Sequence, residues 1–163
     1  MSKISVLMSV YKKENPEYLR ASLESILVQT RTADEILLIE DGPLTQELYQ
    51  VVAEYQKKCD YLHVHAMEQN VQLGRALAKG VELCQYDLIA RMDTDDIAMP
   101  DRLEKEGAYM EAHPEVDVVG GAIREFNDEG TIDRVKNMPK TQEEILEYVK
   151  VRNPLNHMTV MYR

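Results

Sequence analysis

Four short apolar runs alternate with amphipathic segments along the first two thirds of the chain, and this alternation constrains the fold more than any other feature. The runs cover residues 4–10, 35–39, 62–66 and 86–92. The segments between them carry apolar residues at helical spacings of three and four, as in Leu19, Leu23 and Ile26. Strand–helix–strand units of this kind form parallel sheets with right-handed crossovers and helices on both faces. The sequence therefore predicts an α/β fold, a three-layer α/β/α sandwich with a mainly parallel sheet.

Capping residues and turn signals set the expected limits of the elements. Asn15-Pro16 is typical of a helix start, Asn70 is expected to open a third helix, and a fourth is expected from Pro100 to His113. Later elements are a strand at 116–121, two shorter strands around a turn at 127–130, a helix at 141–149, and a strand beginning within 157–163. Since the sequence contains no repeat or linker, we expect residues 1–163 to form one domain.

Charge and cysteine usage narrow the range of functions. The chain has 163 residues, a net charge of −10 and a pI near 4.9, which argues against nucleic acid as a partner. An anionic nucleotide would need a metal ion or local basic groups. Cys59 and Cys84 lack metal-site spacing and are expected to be buried, reduced thiols. Because the apolar run at 4–10 is too short for a leader or a membrane span, a cytoplasmic location is predicted.

An acidic cluster, defined as Asp93, Asp95 and Asp96, follows the fourth run. Three carboxylates within four residues repel one another, and oxygen ligands at this density suit a hard cation such as Mg²⁺ or Mn²⁺. The alternative is a solvated acidic turn that caps the helix near Pro100. The placement of polar residues after the other runs favours the metal site.

Each predicted strand is followed by polar residues at its carboxyl end. Ser9 and Tyr11 follow the first strand, Glu40 and Asp41 the second, residues 68–70 the third, and the acidic cluster the fourth. With a strand order of 3-2-1-4, strands one and four flank the crevice where open α/β sheets bind ligands.

The chemistry of these residues describes a nucleoside-diphosphate site. A tyrosine ring such as Tyr11 can stack on a base, Asp41 can accept a hydrogen bond from a base N–H, and a metal can bridge a diphosphate. The sequence contains no GxGxxG or GxxxxGK[ST] loop, so a dinucleotide oxidoreductase and a P-loop nucleotidase are not supported.

Four segments of the chain resemble glycosyltransferase family 2, a family of inverting enzymes with the GT-A fold. They are "ISVLMSVY" at 4–11, "ILLIEDG" at 36–42, the asparagine-led stretch at 70–80, and "IARMDTDDIAMPDRL" at 89–103, with its D-x-D motif. "AHPEVDVVGG" and "NPLNHMTVMYR" resemble the continuation in bacterial members that build surface polysaccharides. The resemblance implies a metal-dependent transferase, with Mn²⁺ or Mg²⁺, a UDP-sugar donor and a saccharide or lipid-linked acceptor.

The resemblance also implies roles for individual residues. The nucleotide would be contacted by Ser9, Val10, Tyr11, Asp41 and Asn70, while Asp93 would contact the ribose or metal-bound water. Asp95 would be the main metal ligand, with Asp93 and Asp96 beside it. Two departures from the family pattern are Glu40 with Pro43, near the base pocket, and Leu77 in place of an arginine. The phosphate contact would then fall to Arg75 or Arg91, unless these are surface or ion-paired arginines.

The family places its catalytic base after the "NPLNH" segment, so we expect the base beyond Arg163. On that expectation the chain is the donor-binding part of a longer enzyme, inactive alone. Glu125 and Asp128 are the available carboxylates within it, but they are more typical of a solvated turn. His157 lies in a family-like segment and would either approach the metal or acceptor pocket or be structural. The resemblance is also compatible with peripheral attachment at the inner face of the membrane and with association between chains.

Two alternatives remain open at this point. One is a non-catalytic nucleotide-binding module of the same fold. The other is a phosphatase of the haloacid dehalogenase kind, which also carries a D-x-D after a strand. That class has its motif on an early strand followed by Thr or Val, whereas Asp96 follows the motif here.

Overall fold

The computed structural model describes residues 1–127 and 132–163, which contain the following elements in chain order. The strands are β1 Ile4–Val10, β2 Glu35–Glu40, β3 Leu62–Ala66, β4 Leu88–Asp93, β5 Val118–Val119, β6 Ile123–Phe126, β7 Ile132–Lys136 and β8 Met161–Tyr162. The helices are α1 Pro16–Leu27, α2 Gln46–Lys58, α3 Leu73–Leu83, α4 Arg102–Ala112 and α5 Gln142–Tyr148, with a 3₁₀ turn at His157–Thr159.

The main sheet has the strand order β3-β2-β1-β4-β8-β5. Strands β1 to β4 are parallel, and β8 runs antiparallel to both β4 and β5. The predicted order 3-2-1-4 is therefore confirmed, and the register places Ser9 directly opposite Asp93. Strands β6 and β7 form a separate antiparallel pair.

Helices cover both faces of this sheet, as the three-layer prediction requires. On one face, Val6 and Met8 of β1 belong to a core that includes side chains of α1, α2 and α4. On the other face, Leu7 and Ile39 pack with Ala76 of α3. Because successive side chains of a strand point to opposite faces, nearly continuous apolar strands are needed to fill both layers.

The helix starts follow from local hydrogen bonding, and one predicted start is wrong. The Asn15 side chain accepts a hydrogen bond from Glu17 N and begins α1 as expected. The third helix begins at Leu73 and not at Asn70. Gln72, the residue before α3, has φ 73°, so the helix does not extend back to Asn70. The Asn70 side chain bonds to Asp41 instead of capping α3.

The last third of the chain is less regular than predicted. The strand expected at 116–121 is reduced to the two residues of β5, and the final strand β8 is preceded by the 3₁₀ turn. Asp128 and most of the predicted turn at 127–130 lie outside the described residues. Cys59 is buried and Cys84 is half-buried, and neither forms a disulfide in the described structure. Burial raises the pKa of the Cys84 thiol to about 11, so this thiol is unreactive.

Among the described residues, every helix is too short or too polar to cross a bilayer.

The contact of α3 with the sheet depends on Gly80. A Cβ atom at Gly80 would lie 2.3 Å from Cδ1 of the buried Leu7, whereas a Cβ at Gly74 of the same helix would have nothing within 4 Å. We expect Gly80→Ala to lower the free energy of unfolding by about 1–2 kcal/mol, because overpacking against Leu7 outweighs a helix-propensity gain of up to about 1 kcal/mol. Gly74→Ala should raise it by up to about 1 kcal/mol through helix propensity. Urea denaturation of both variants checks this, and equal effects would contradict the close packing.

Candidate nucleotide and metal site

A cleft of about 390 Å³ opens at the carboxyl edge of the sheet, where β1, β2 and β4 end and α3 begins. The structure brings to it five of the six residues predicted to contact a nucleotide and two of the three predicted metal ligands, with Asp93 belonging to both sets. These lining residues are Ser9, Tyr11, Asp41, Asn70, Asp93 and Asp95. The sixth, Val10, is fully buried with its side chain in the core. Glu40, a departure from the family pattern, is also buried and lies outside the lining.

Two members of the acidic cluster, Asp93 and Asp95, line this cleft, and the third, Asp96, lies beside them. Asp93, Asp95 and Asp96 each offer a carboxylate oxygen, and the three oxygens lie within 4.8 Å of one another. Asp95 is exposed, whereas Asp93 and Asp96 are half-buried. Burial, reinforced by the carboxylates of Asp93 and Asp95, raises the pKa of Asp96 to about 6. The cluster therefore carries more negative charge than its surroundings stabilise.

A divalent cation fits this donor set. The Oδ2 atom of Asp96 is buried and has no hydrogen-bond partner among the described residues. An orphaned buried carboxylate oxygen is costly, and a cation would satisfy it. Carboxylate ligands suit Mg²⁺ and Mn²⁺, so Asp95 and Asp96 are the residues that would hold such an ion.

Asp93 differs from its two neighbours because a cation of the protein already contacts it. Arg91 Nη2 forms an ion pair with Asp93 Oδ1, and His157 Nε2 lies 4.0 Å from Asp93 Oδ2. Arg91 is 3% exposed and His157 is exposed. The structure thus places both residues beside the acidic cluster, while Arg75 is exposed on the first turn of α3.

The segment that carries the acidic cluster is attached to helix α1 by a row of polar side chains. Ser22 Oγ donates to the Asp93 carbonyl at 2.8 Å, and Ser25 Oγ accepts from Ala98 N at 3.0 Å. Gln29 Nε2 donates to the Met99 carbonyl at 2.8 Å, while its Oε1 accepts from Leu103 N at 3.0 Å. These bonds replace the sheet and helix hydrogen bonds that residues 94–101 lack.

Sequence reasoning missed this polar row, although a signal for it exists. Ser22, Ser25 and Gln29 follow one another at spacings of three and four, which places Ser22 and Ser25 on one side of α1 and Gln29 just after the end of the helix. All three are buried beside the apolar face of the helix. Buried polar side chains at helical spacing indicate partners in a neighbouring segment that lacks regular structure.

Thr94, the middle residue of the D-x-D motif, is also fixed. Its hydroxyl donates to Glu14 Oε2 at 2.6 Å and lies 3.3 Å from the Ser9 carbonyl. Thr94 is buried, so the motif presents Asp93 and Asp95 on either side of an anchored residue. Glu14 is a further lining residue of the cleft that sequence reasoning did not single out.

Asp41 ties the end of β2 to the loop between β3 and α3. Its Oδ1 accepts from Val71 N at 2.6 Å, and its Oδ2 accepts from Asn70 Nδ2 at 2.9 Å. Gly42 has φ 84°, and a Cβ there would lie 2.5 Å from Asn70 N. Asp41 and Asn70 therefore act as one unit at the cleft wall, with Asp41 only 4% exposed.

The carboxylate of Glu125 lies away from the cleft lining and pairs with Arg134. The other carboxylate considered from sequence, Asp128, lies outside the described residues.

Comparison with known proteins agrees with this architecture. The sequence pattern of the family described as "Glycosyl transferase family 2" matches residues 5–163. The chain belongs to this family, which favours a transferase over the phosphatase alternative.

Two curated relatives are bacterial glycosyltransferases. The chain is 44% identical over 159 residues to the amylovoran biosynthesis glycosyltransferase AmsE of Erwinia amylovora, covering 98% of this chain and 59% of that protein. It is 35% identical over 167 residues to the UDP-Gal:alpha-D-GlcNAc-diphosphoundecaprenol beta-1,3-galactosyltransferase of Escherichia coli, covering 99% and 58%. The chain thus spans about three-fifths of the length of these relatives.

Solved structures show that the fold is GT-A. S. aureus TarS 1-349 in complex with UDP-GlcNAc matches with a TM-score of 0.75 and 21% identity over 99% of this chain and 45% of that chain. The mannosyltransferase PcManGT of Pyrobaculum calidifontis, in complex with GDP-Man and Mn²⁺, matches with a TM-score of 0.67 and 16% identity over 76% and 36%. The predicted fold class is confirmed.

The row of polar side chains formed by Ser22, Ser25 and Gln29 leads to a prediction about stability and metal binding. Gln29→Ala leaves the Leu103 N–H without its partner and removes one of the two hydrogen bonds to the Met99 carbonyl, which Arg102 N also reaches, so we expect a loss of about 1–3 kcal/mol of unfolding free energy. Mn²⁺ binding should weaken as well, since the acidic segment loses an anchor. Gln50→Ala, at an exposed position of α2, should change stability by less than about 0.5 kcal/mol. Urea denaturation and Mn²⁺ titration test both variants, and equal stabilities would contradict the anchoring role.

The raised pKa of Asp96 leads to a prediction about the pH dependence of stability. The folded state binds the Asp96 proton more tightly than the unfolded state, so this carboxyl destabilises the metal-free chain increasingly as the pH rises from about 4 to 6. Asp96→Asn should therefore stabilise the chain at pH 7.5 in EDTA by about 1–2 kcal/mol, after a discount for solvent screening. The gain should shrink as the pH falls towards 4.

Asp60→Asn, at an exposed position, is the matched control and should show no such pH-dependent gain. Urea denaturation at several pH values measures the difference. A gain that is equal at pH 7.5 and at pH 4 would mean that the Asp96 carboxylate is not destabilised by ionisation.

Proposed function

We propose that this chain is the donor-binding domain of a metal-dependent, inverting glycosyltransferase. The donor is a nucleoside-diphosphate sugar, with a UDP-sugar preferred, and the acceptor is a saccharide or a lipid-linked saccharide of bacterial surface polysaccharide. The observation that carries the proposal is that Asp93 and Asp95 of the acidic cluster line the same cleft as Tyr11, Asp41 and Asn70. A cation site and a base-sized cleft side by side fit the two ends of a nucleoside diphosphate.

In this proposal the two sides of the cleft contact different parts of the donor. The Tyr11 ring, 44% exposed, offers a face on which the base stacks, and the Asp41–Asn70 unit forms the wall that the base edge meets. Ser9 and Val10 provide the end of β1 at the ribose. Asp95 and Asp96 hold Mn²⁺ or Mg²⁺, and Asp93 faces the ribose and the diphosphate. When bound, the cation supplies positive charge that stabilises the nucleoside diphosphate as it leaves.

The named ligands of related proteins support the choice of donor and cation. One relative is named for UDP-Gal and a diphosphoundecaprenol acceptor, and TarS was solved with UDP-GlcNAc. PcManGT was solved with GDP-Man and Mn²⁺. A uracil nucleotide is therefore our first choice and a guanine nucleotide the second.

The general base of the transfer is proposed to come from outside residues 1–163. An inverting transfer needs a carboxylate near the acceptor hydroxyl, and such a base contributes on the order of 10²–10⁴ in rate. The carboxylates at the cleft are either in the acidic cluster or hydrogen-bonded, as in Asp41 and Glu14. We place the enzyme at the cytoplasmic face of the membrane, where a lipid-linked acceptor would be reached.

The test is a titration of UDP by calorimetry, with Mn²⁺ and with chelator. We expect binding in Mn²⁺ and little without it. Asp95→Ala should remove most of the metal-dependent binding, because the ion loses an exposed ligand of the cluster. Asp87→Ala changes the charge equally at the opposite end of β4 and should bind as the wild type does. Equal UDP affinity with and without metal would overturn the proposed role of the cluster.

A further inference from the structure

Arg91 is a buried cation at the edge of the acidic cluster. The residue is 3% exposed, and its guanidinium nitrogens Nε and Nη1 are buried without a hydrogen-bond partner among the described residues. The third nitrogen, Nη2, is also buried and forms an ion pair with Asp93 Oδ1. An arginine side chain normally satisfies several donors at once, so burial with so few partners is costly and calls for a compensating interaction.

The strand explains why Arg91 and Asp93 meet. Ala90 and Met92 of β4 pack into the core on the α1 side, whereas Ile89 packs on the α3 side. Side chains two apart on a strand share a face, so Arg91 and Asp93 both point to the side of Ile89. The pleat of β4 therefore places the two side chains on the same face of the sheet, where they form the ion pair.

Arg91 does not reach the cleft itself. Asp93, Thr94 and Asp95 line the cleft, and Arg91 does not. Since all three guanidinium nitrogens are buried, a bound molecule cannot contact them in this arrangement. Arg91 acts on the site through Asp93 and through its charge.

We propose that Arg91 is a positioning residue with two effects on the acidic cluster. It holds Asp93 Oδ1, which keeps Asp93 from closing around a cation and leaves the cation to Asp95 and Asp96. It also adds a fixed positive charge, so that the site prefers a cation accompanied by a diphosphate to the bare cation. This inference rests on the proposed metal-dependent binding of a nucleoside diphosphate.

The two ligands should respond to loss of this charge in opposite directions. A bare divalent cation is repelled by Arg91 and should bind more tightly when the charge is removed and Asp93 is released. A diphosphate is attracted by Arg91 and should bind less tightly to the metal-loaded site. One unit charge a few ångströms from the ligand, at the dielectric of a partly exposed site, changes affinity by roughly tenfold or more.

The experiment compares Arg91→Met with the wild-type chain of residues 1–163. Binding of Mn²⁺ alone is measured by the electron paramagnetic resonance signal of free Mn²⁺, and binding of UDP at saturating Mn²⁺ by calorimetry. We expect Arg91→Met to bind Mn²⁺ about tenfold more tightly and UDP about tenfold more weakly. Arg91→Lys keeps the charge and should stay closer to the wild type than Arg91→Met in both measurements.

The control is Lys57→Met, which removes one positive charge at an exposed position near the end of α2, at the opposite edge of the sheet. It should leave both affinities unchanged. Urea denaturation shows whether Arg91→Met folds. If Arg91→Met does not fold, the same measurements are made on Arg91→Gln, which is polar and uncharged.

Two results overturn the inference while leaving the proposed function intact. Parallel weakening of Mn²⁺ and UDP would show that Arg91 prepares Asp93 as a metal ligand. Unchanged affinities would show that its charge does not act on the site. If the wild-type chain binds no Mn²⁺ and no UDP, the proposed function fails first, and this inference fails with it.

Discussion

The parallel pairing of β1 with β4 is the interaction on which the rest of the structure depends. These strands are far apart in sequence and become neighbours only because two crossovers carry β2 and β3 away to one side. Their register sets Ser9 opposite Asp93, so the loops that follow both strands begin side by side. Thr94 of the second loop bonds to Glu14 of the first, and residues of both loops line the cleft. A shift of one residue in this register would turn Asp93 to the opposite face of the sheet.

The site combines paired strands of the central sheet with loops that are held by side-chain hydrogen bonds. Strand β4 is paired with β1 over six residues, whereas residues 94–101 form no regular element and are held by Ser22 and Ser25 of α1 and by Gln29, just after that helix. The Asp41 carboxylate holds the loop before α3 in a similar way. Helix α1, which covers the sheet, therefore also fixes the loop at the carboxyl edge of the sheet, although none of its residues lines the cleft.

Much of the fold followed from periodicity, because buried parallel strands and amphipathic helices have distinct patterns. The strand order and the meeting of Tyr11, Asp41 and the acidic cluster were predictable from crossover rules. The start of α3 was not, since Asn70 is a good cap by type, and only the structure shows its side chain committed to Asp41. The contact of Arg91 with Asp93 needed the pleat of a known strand. Short elements such as β5 depend on distant pairing with β8, which local sequence does not reveal.

The double attachment of Asp41 has a consequence for how such a site changes over evolutionary time. Both carboxylate oxygens already serve the Asn70–Val71 loop, so any replacement at this position also moves the wall of the cleft. A single substitution of Asp41 therefore requires a compensating change in the Asn70–Val71 loop. Tyr11 and Gln72, by contrast, are exposed at the rim and tie down no other segment through a side-chain bond that the structure describes. On the proposed function, changes in base preference are therefore expected first at Tyr11 and Gln72, while Asp41 and Asn70 change only together.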